Sequence, residues 1–360
     1  VGINAENGNV TLNGSTDIAG TDAAINAGEG GNVDINSNNG ALNIKGEINA
    51  SNGGNITIDS SNGTGTIEGN VTASNGGNVE ITLDDANSQI TGSYNVDDDS
   101  SIVMNIKNGA VWNLTDDDDD AEGMSLLRMA KAPVAASGKG LTVNGGETQE
   151  KTGYLNMTKR TKDLKIDHYS GWETIIYGHE NAGDKVSDYK SGNTIIDKAE
   201  TGSGLILYTD NTGITMDDKK AVEATLAALA QKAQYNDHEA NSANLTGKVK
   251  IAEGMTAAGK IGSMRWDENG KGQYVENSVN WAEIYNGNYE TFVMQGVRSA
   301  ATTSMHSWRD NMQDTYTGAD LADEDGIFAK ALGGKTSSDV KGVRDSNTYR
   351  GVQVGLDKAL

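Results

Sequence analysis

The 360-residue chain has no cysteine, one proline and few aromatic residues. The absence of cysteine excludes thiol catalysis, disulfide bonds and cysteine-ligated metal sites. Aromatic residues make up 5% of the chain, which is little for several ordinary globular cores. The sequence also lacks any stretch of about 18 apolar residues, so it contains no candidate transmembrane helix.

Basic runs are absent as well, and the formal net charge is −22. A protein that binds duplex nucleic acid needs a basic patch to displace counterions, so nucleic acid is excluded as a partner. Anionic membrane surfaces are disfavoured for the same reason. We interpret the acidity as a contribution to solubility.

Glycine is abundant, with 46 residues, and Gly, Asn, Asp, Ser and Thr dominate the first third of the chain. That composition is compatible with low-complexity disorder. A repeat argues against disorder, because short apolar-x-apolar pieces return every 23 residues, starting with Asn at positions 9, 32, 55 and 78. A fifth, degenerate copy is Ser101-Ile102-Val103-Met104.

Other columns keep this register, namely Ile25, Ile48, Val71 and Tyr94, and Ile44, Ile67 and Ile90. Alternation indicates strands, and pieces this short are stable only when each repeat stacks on the next. The sequence therefore predicts an all-β fold, a right-handed parallel β-helix, with regular coils over residues 1–115. The repeat begins at Val1 without a signal peptide, so we expect the chain to be part of a longer protein.

The register makes specific predictions about side chains in the coils. One apolar column should point inward, formed by Val10, Val33, Ile56, Val79 and Ile102. The repeated asparagines Asn9, Asn32, Asn55 and Asn78 should stack at a corner, with their amides bonded along the stack. The preceding glycines should provide a turn with positive φ.

The pattern changes after the regular repeats. Residues 116–140 read as an acidic insertion loop that contains the run Asp116–Asp120 and Pro133. Residues 141–287 read as irregular coils, with strands at Leu141/Val143, Leu164/Ile166, Thr174 to Tyr177, Thr194 to Ile196, Leu205 to Tyr208 and Leu245 to Ile251. Within them, residues 217–235 carry Val222, Leu226, Leu229 and Ala233 at helical spacing, with a capping box of Thr215 and Asp218 and with Lys232 in the last turn.

The last part of the chain combines one helix with two strands. Residues 288–315 predict a helix of bilayer-spanning length, but its charges, including Glu290, Arg298 and Arg309, forbid lipid on all sides. An ordinary surface helix is the alternative. Over residues 326–360, Gly326 to Gly334 and Tyr349 to Asp357 read as strands. In the second strand, Val352, Val354 and Leu356 share one face, as in outer-membrane barrels. Two strands cannot close a barrel, so we expect an incomplete one.

This order of β-helix, helix and barrel strands resembles the type V secreted autotransporters of diderm bacteria. Met294 to Ala300, with Trp308-Arg309 after it, is similar to the linker helix inside their translocator barrel, and Asn347 to Asp357 is similar to an early barrel strand. Tyr169 to Trp172, Ile175 to His179 and Leu245 to Gly254 resemble membrane-proximal passenger segments of large anaerobe autotransporters. The terminal aromatic residue that this family uses for membrane insertion is absent here.

The resemblance implies a passenger displayed outside the cell and anchored in the outer membrane through the translocator barrel. It also implies that residues of about 200–285 act as a folding template for the other coils. Host or neighbouring-cell surface ligands are the partners that follow from such a role.

Motifs for chemistry are sparse. No Gly-x-Ser-x-Gly and no His-Glu-x-x-His occurs, and His179-Glu180 and His238-Glu239 lack a second histidine. Two segments begin like calcium loops, but Met129 and Ser278 stand where the bidentate Glu belongs. Weak divalent-cation binding at Asp97–Asp99 or Asp116–Asp120 stays open. We therefore predict no catalytic, cofactor-binding or metal-binding residue, and no cofactor.

Three functional hypotheses remain. The first is a non-enzymatic adhesin or surface-display solenoid. The second is the passenger of an extracellular polysaccharide-acting enzyme whose catalytic part lies upstream or on an exposed coil face. The third is a soluble acidic solenoid with no link to a membrane.

Overall fold

A computed structural model of the chain describes residues 1–37, 39–116, 139–178, 185–210, 218–237, 244–251, 260–279, 326–340 and 343–357. The chain divides into two compact units. The first comprises Val1–Glu253 and Gly259–Val279, and the second comprises Gly254–Ala258 and Asn280–Leu360.

The first unit is a stack of coils whose strands, numbered along the chain, form three sheets. The first sheet contains β1 (Ile3–Glu6), β4 (Ile25–Gly28), β7 (Ile48–Ser51), β10 (Val71–Ser74) and β13 (Tyr94–Val96). The second contains β2 (Asn9–Asn13), β5 (Asn32–Asn36), β8 (Asn55–Ser60), β11 (Asn78–Leu83), β14 (Ser101–Ile106), β16 (Gly140–Asn144), β18 (Leu164–Ser170), β20 (Thr194–Ala199) and β22 (Ala233–Tyr235). The third contains β3 (Thr16–Ala19), β6 (Ala41–Lys45), β9 (Thr64–Glu68), β12 (Gln89–Gly92), β15 (Val111–Thr115), β17 (Gly153–Lys159), β19 (Trp172–Ile176), β21 (Ser203–Thr209), β23 (Leu245–Ile251), β24 (Lys260–Trp266) and β25 (Gly272–Tyr274).

The predicted 23-residue register is confirmed in the strand pairing. Val33 pairs with Ile56, Ile56 with Val79, and Val79 with Ile102, all between parallel strands. From Val33 onward this column is almost completely buried, whereas Val10 in the first coil is only half-buried. Each buried Val or Ile side chain contributes about 1.5–3 kcal/mol. The stack of apolar columns is therefore the main source of stability in the regular coils.

The corner turns differ in detail from the prediction. At the turn after β7, Asn52 and Gly53 both have positive φ, of 50° and 76°. The next residue, Gly54, donates its N–H to Ser51 O at 2.9 Å, and a Cβ on Gly54 would lie 2.2 Å from Ala27 O. The first glycine thus provides the left-handed conformation, while the second is required because the backbone of the preceding coil passes too close for any side chain.

The first sheet ends at β13 among the described residues, and later coils connect the third sheet to the second in other ways. After β17 the link is short, and after β19 it contains the 3₁₀ turn Val186–Asp188. After β21 it contains the helix α1 (Lys219–Ala230). The acidic segment 116–140 lies at the first such connection, where residues 117–138 fall outside the described residues and the strand begins again at Gly140.

Helix α1 confirms the predicted apolar face but is shorter than predicted. Val222, Leu226 and Leu229 are fully buried, so the helix packs into the core on a side where strands stood in earlier coils. Asp218 is the N-cap, accepting from Ala221 N at 3.1 Å, while Thr215 lies outside the described residues. The prediction of a helix through residue 235 was wrong. Ala233–Tyr235 forms β22, because pairing with β20 outweighs helical periodicity there.

The far end of the stack departs from a parallel coil. Strand β23 pairs with β24 in antiparallel fashion, and β24 pairs with β25 in the same way. The turn after β24 reaches the second sheet, where Tyr235 N donates to Gly270 O at 2.8 Å and the rings of Tyr235 and Trp266 lie 5.6 Å apart. This antiparallel meander covers the last coil. The strands β17, β24 and β25 were not predicted from the sequence.

The described part of the second unit is an antiparallel pair, β26 (Gly326–Val340) and β27 (Val343–Asp357). Each strand has 15 residues, so both are longer than the segments predicted from alternation. Val352, opposite Ala331, is 73% exposed. The predicted helix over residues 288–315 lies outside the described residues.

Candidate functional site

A ladder of asparagine side chains runs along one corner of the regular coils, as predicted. Asn32 Nδ2 donates to Asn9 Oδ1 at 2.8 Å, and Asn55 repeats this contact to Asn32 at 2.9 Å. Asn78 donates to Asn55 at 2.9 Å, and Ser101 Oγ donates to Asn78 Oδ1 at 2.7 Å. Asn32, Asn55 and Asn78 each donate and accept, so the coils are linked by side chains as well as by backbone.

Two further ladders extend this surface. Along the first sheet, Asn26 Nδ2 donates to Asn4 Oδ1 at 2.6 Å and Asn49 to Asn26 at 2.9 Å. Along the second sheet, a chain of contacts continues into the irregular coils, with Asn144 Nδ2 donating to Asn105 Oδ1 at 2.8 Å and Ser170 Oγ to Asn144 Oδ1 at 2.7 Å. These groups form a hydrogen-bonded polar surface of amides and hydroxyls, which are not acids or bases near neutral pH.

The Asp267 segment, one of the two calcium-like sequences, is a turn. Asp267 Oδ1 accepts from Asn269 N and Lys271 N, both at 2.9 Å, and Oδ2 accepts from Gln273 Nε2 at 3.1 Å. The carboxylate therefore closes the loop between β24 and β25 by binding backbone N–H groups, which is the usual role of Asp in such turns. The other calcium-like sequence, Asp118 to Gly123, lies outside the described residues.

In the described parts of the acidic runs, Asp97 and Asp116 accept hydrogen bonds from neighbouring coils. Asp97 Oδ2 accepts from Asn75 N at 2.7 Å. Asp116 accepts from Thr161 N at 3.0 Å and from Thr161 Oγ1 at 2.6 Å, as well as from Lys162 N at 3.2 Å. Burial raises the pKa of Asp116, but these hydrogen bonds outweigh it and hold the pKa below its ordinary value. Within the described ranges, no group of three or more His, Asp or Glu side chains is arranged to hold a metal ion.

Of the four histidines, only His168 falls in a described segment, in β18. It pairs by register with Thr142 and Lys198, and its Nε2 is buried without a hydrogen-bond partner in the described structure. His179-Glu180 and His238-Glu239 lie outside the described residues.

A cluster of Tyr94, Trp112 and Arg160 closes the end of the first sheet, and sequence reasoning missed it. The Arg160 guanidinium is 5.2 Å from the Tyr94 ring centre, and Tyr94 packs edge-on against Trp112 at 5.8 Å. Arg160 Nη1 donates to Thr115 O at 2.9 Å, and Tyr94 Oη donates to Lys165 O at 3.1 Å. Arg160 is only 5% exposed. Arg160 thus connects β13, the last described strand of the first sheet, to a later coil that has no described strand in that sheet.

Glu173 in β19 is the second group that sequence reasoning missed. Its side chain is fully buried, and neither carboxylate oxygen has a hydrogen-bond partner among the described residues. Burial raises the pKa of this carboxyl well above its ordinary value, although the nearby charge of Lys107 opposes the shift. Alternation with Ile175 was the only signal in the sequence that could have placed Glu173 inside.

A shallow depression of about 440 Å³ lies between α1 and β25. It is lined by Lys219, Lys220, Glu223, Tyr274 and Glu276, among others. Lys219 Nζ donates to Asn277 Oδ1 at 3.0 Å and lies 4.0 Å from Glu223 Oε1. Positive and negative groups thus neutralise one another, and the depression does not favour a ligand of either charge.

Comparisons of the chain with protein-family models, with curated proteins and with solved structures found no match. In the portion of the chain that the structure describes, no helix is long and apolar enough to cross a membrane.

Proposed function

We propose that this chain is the cell-surface passenger region of an autotransporter, a non-enzymatic adhesin or display solenoid whose C-terminal segment belongs to the outer-membrane translocation unit. The observation that carries the proposal is the succession of a parallel β-solenoid and a separate unit containing two long antiparallel strands. A strand of about 9–11 residues crosses a bilayer when tilted, so strands of 15 residues suffice.

The hairpin sequence supports the membrane assignment. Apolar residues occupy positions 352, 354 and 356 of β27, and the register pairs Val352 with Ala331 and Val354 with Ala329. Positions 351, 353, 355 and 357 carry Gly, Gln, Gly and Asp. This is the alternation that places one face against lipid and the other in a polar lumen. The exposure of Val352 is what we expect of an apolar side chain that faces lipid.

The surface of the regular coils supports a display role. Its outward amides are bonded to one another along the stack, so the surface is stiff and repeated every 23 residues. A solenoid of this kind presents loops at fixed spacing and exposes an extended surface to partners. Surface ligands on host or neighbouring cells are the partners that we propose.

The end of the stack supports a folding role for residues of about 200–285. Solenoids need a terminal cap, because an open last coil exposes apolar side chains and unpaired strand edges. The β23–β25 meander covers that coil, and the helix α1 packs beside it. We propose that this capped segment forms first and that the preceding coils add to it.

The test uses cells that produce the complete protein. An antibody raised against residues 1–115 should bind intact cells, and the segment containing β26 and β27 should remain in the outer-membrane fraction after a high-salt wash. Binding only after permeabilisation, or recovery of the whole protein in the soluble fraction, would contradict the proposal.

A further inference from the structure

The carboxyl group of Glu173 occupies an inward column of the third sheet. By register Glu173 stands between Gly153 in β17 and Leu205 in β21. Leu205 is fully buried, as is Ile175, two residues along the same strand. The Glu173 side chain is therefore inside the solenoid, in a column whose other members are apolar or small.

Two glycines make room for this side chain. A Cβ on Gly153 would lie 2.8 Å from Glu173 Oε2, and a Cβ on Gly145 would lie 2.9 Å from Glu173 Cγ. Either side chain would collide with the carboxylate arm. The Glu173 arm thus lies over the preceding coil in a space that exists because both neighbours lack side chains.

The surroundings disfavour a negative charge. Neither Glu173 oxygen has a hydrogen-bond partner in the described structure, and an unpaired buried carboxylate is far more costly than a neutral carboxyl group. The charge of Lys107, in the turn before β15, acts on Glu173, and a charge on Glu173 would in turn raise the pKa of Tyr169 in β18. The Tyr169 hydroxyl donates to Gly204 O at 2.6 Å. Lys107 is half-buried at the edge of the coil and donates no hydrogen bond to Glu173.

We propose that the irregular coils fold with one proton bound to Glu173, so that β19 and its neighbours form a pH-sensitive joint in the solenoid. The strand pairing of β19 is stable when Glu173 is neutral and opens more readily when Glu173 is ionised. The regular coils, which bury no carboxylate in the described structure, lack this response.

The direction of the pH effect follows from burial. In the unfolded chain Glu173 loses its proton near its ordinary pKa of 4.5, whereas burial raises the pKa in the folded chain well above that value. Between the two values the folded chain holds a proton that the unfolded chain has released. Stability from this group is therefore complete below the unfolded pKa and is lost as pH rises toward the folded pKa, by up to about tenfold in the opening equilibrium per pH unit.

Hydrogen exchange on the full chain tests the proposal. The opening equilibrium of β19, corrected for the pH dependence of intrinsic exchange, should rise as pH increases from 5 toward the folded pKa, by up to about tenfold per pH unit. In Glu173→Gln it should be nearly flat. The exposed residue Glu68, paired with Lys45 at 3.3 Å, gives the matched control, since Glu68→Gln should behave like the native chain. Strand β8 should show no such change in any of the three proteins.

A pH response of β19 that is equal in the native chain and in Glu173→Gln would overturn the proposal. If Glu173→Gln does not fold, infrared spectroscopy of the native chain at neutral pH decides instead. The folded chain should show the C=O stretch of one protonated carboxyl group, which is lost on unfolding. The absence of that band would equally overturn the proposal.

Discussion

The coils of residues 1–115 and those of residues 140–279 are held together by different means. In the first region, small aliphatic columns repeat with one spacing and asparagines link the coils outside. The last of these coils already bury the larger Tyr94 and Trp112. In the second region such side chains fill more of the core, and Tyr169 and Tyr177 are fully buried, with the Tyr177 hydroxyl 2.7 Å from Thr194 Oγ1. Among the described residues, the solenoid thus loses its sequence period and one of its sheets where larger residues and a helix fill the same space.

The corner glycines should give the largest difference within the regular coils. Gly54→Ala places a Cβ 2.2 Å from Ala27 O, a backbone atom that cannot move aside. We expect a loss of more than about 4 kcal/mol in the free energy of unfolding, measured by chemical denaturation. Gly53→Ala is the matched control. Its φ of +76° costs about 1–2 kcal/mol, but nothing lies within 4 Å of the new Cβ. Equal losses in the two variants would contradict the steric account of the corner.

Substitutions that leave a cavity in one region should destabilise that region and not the other. Leu226→Ala in α1 removes a fully buried side chain and should cost about 3 kcal/mol. Because each coil contacts only its neighbours, hydrogen exchange should increase in β21 to β24 and stay unchanged in β5 to β11. Ile56→Ala should cost a similar amount and give the opposite pattern. If either variant loosened both regions, the two would form one cooperative unit and the comparison would fail.

The asparagine ladder should contribute less than the core. Asn55→Ala removes the contacts to Asn32 and Asn78, both at 2.9 Å, and should cost about 1 kcal/mol in the opening of β8. Thr57 lies on the same strand and is exposed, so Thr57→Ala serves as the control and should change little. A loss in Asn55→Ala no larger than the loss in Thr57→Ala would show that the ladder adds no stability.

The surface ion pair between Lys45 and Glu68 should have the smallest effect. Both side chains are more than half exposed, and Nζ lies 3.3 Å from Oε2. Lys45→Gln should cost at most about 0.5 kcal/mol, and the loss should vanish in high salt because exposed charges are screened. A larger, salt-independent loss, measured in the same denaturation assay, would give the surface charges a greater role than the ladder.

The regular coils were predicted well from the sequence because the same or similar residues recur at one spacing. The column from Val33 to Ile102 and the ladder from Asn9 to Asn78 could both be identified from spacing alone. The second glycine of each corner could not, because its role depends on the backbone of the preceding coil.

The irregular coils were predicted only in part, because their structure depends on contacts between distant residues. Ala233 fits a helical spacing, yet it pairs with Thr194 in β20. No local sequence pattern predicts the packing of Arg160, because its partner Tyr94 belongs to another coil. Glu173 follows the alternation of β19, but a charged residue in an inward position contradicts ordinary patterning, so its burial emerges only from the structure.

The most direct test of the membrane account uses single cysteines introduced into residues 1–360, which contain none of their own. In cells that make the complete protein, Val352→Cys should react with a lipid-soluble maleimide and resist a water-soluble one, while its neighbour Gln353→Cys should do the opposite. Thr57→Cys in the solenoid should react with the water-soluble reagent in intact cells. If Val352→Cys and Gln353→Cys reacted equally with the water-soluble reagent, the hairpin would not lie in a membrane and the account would be wrong.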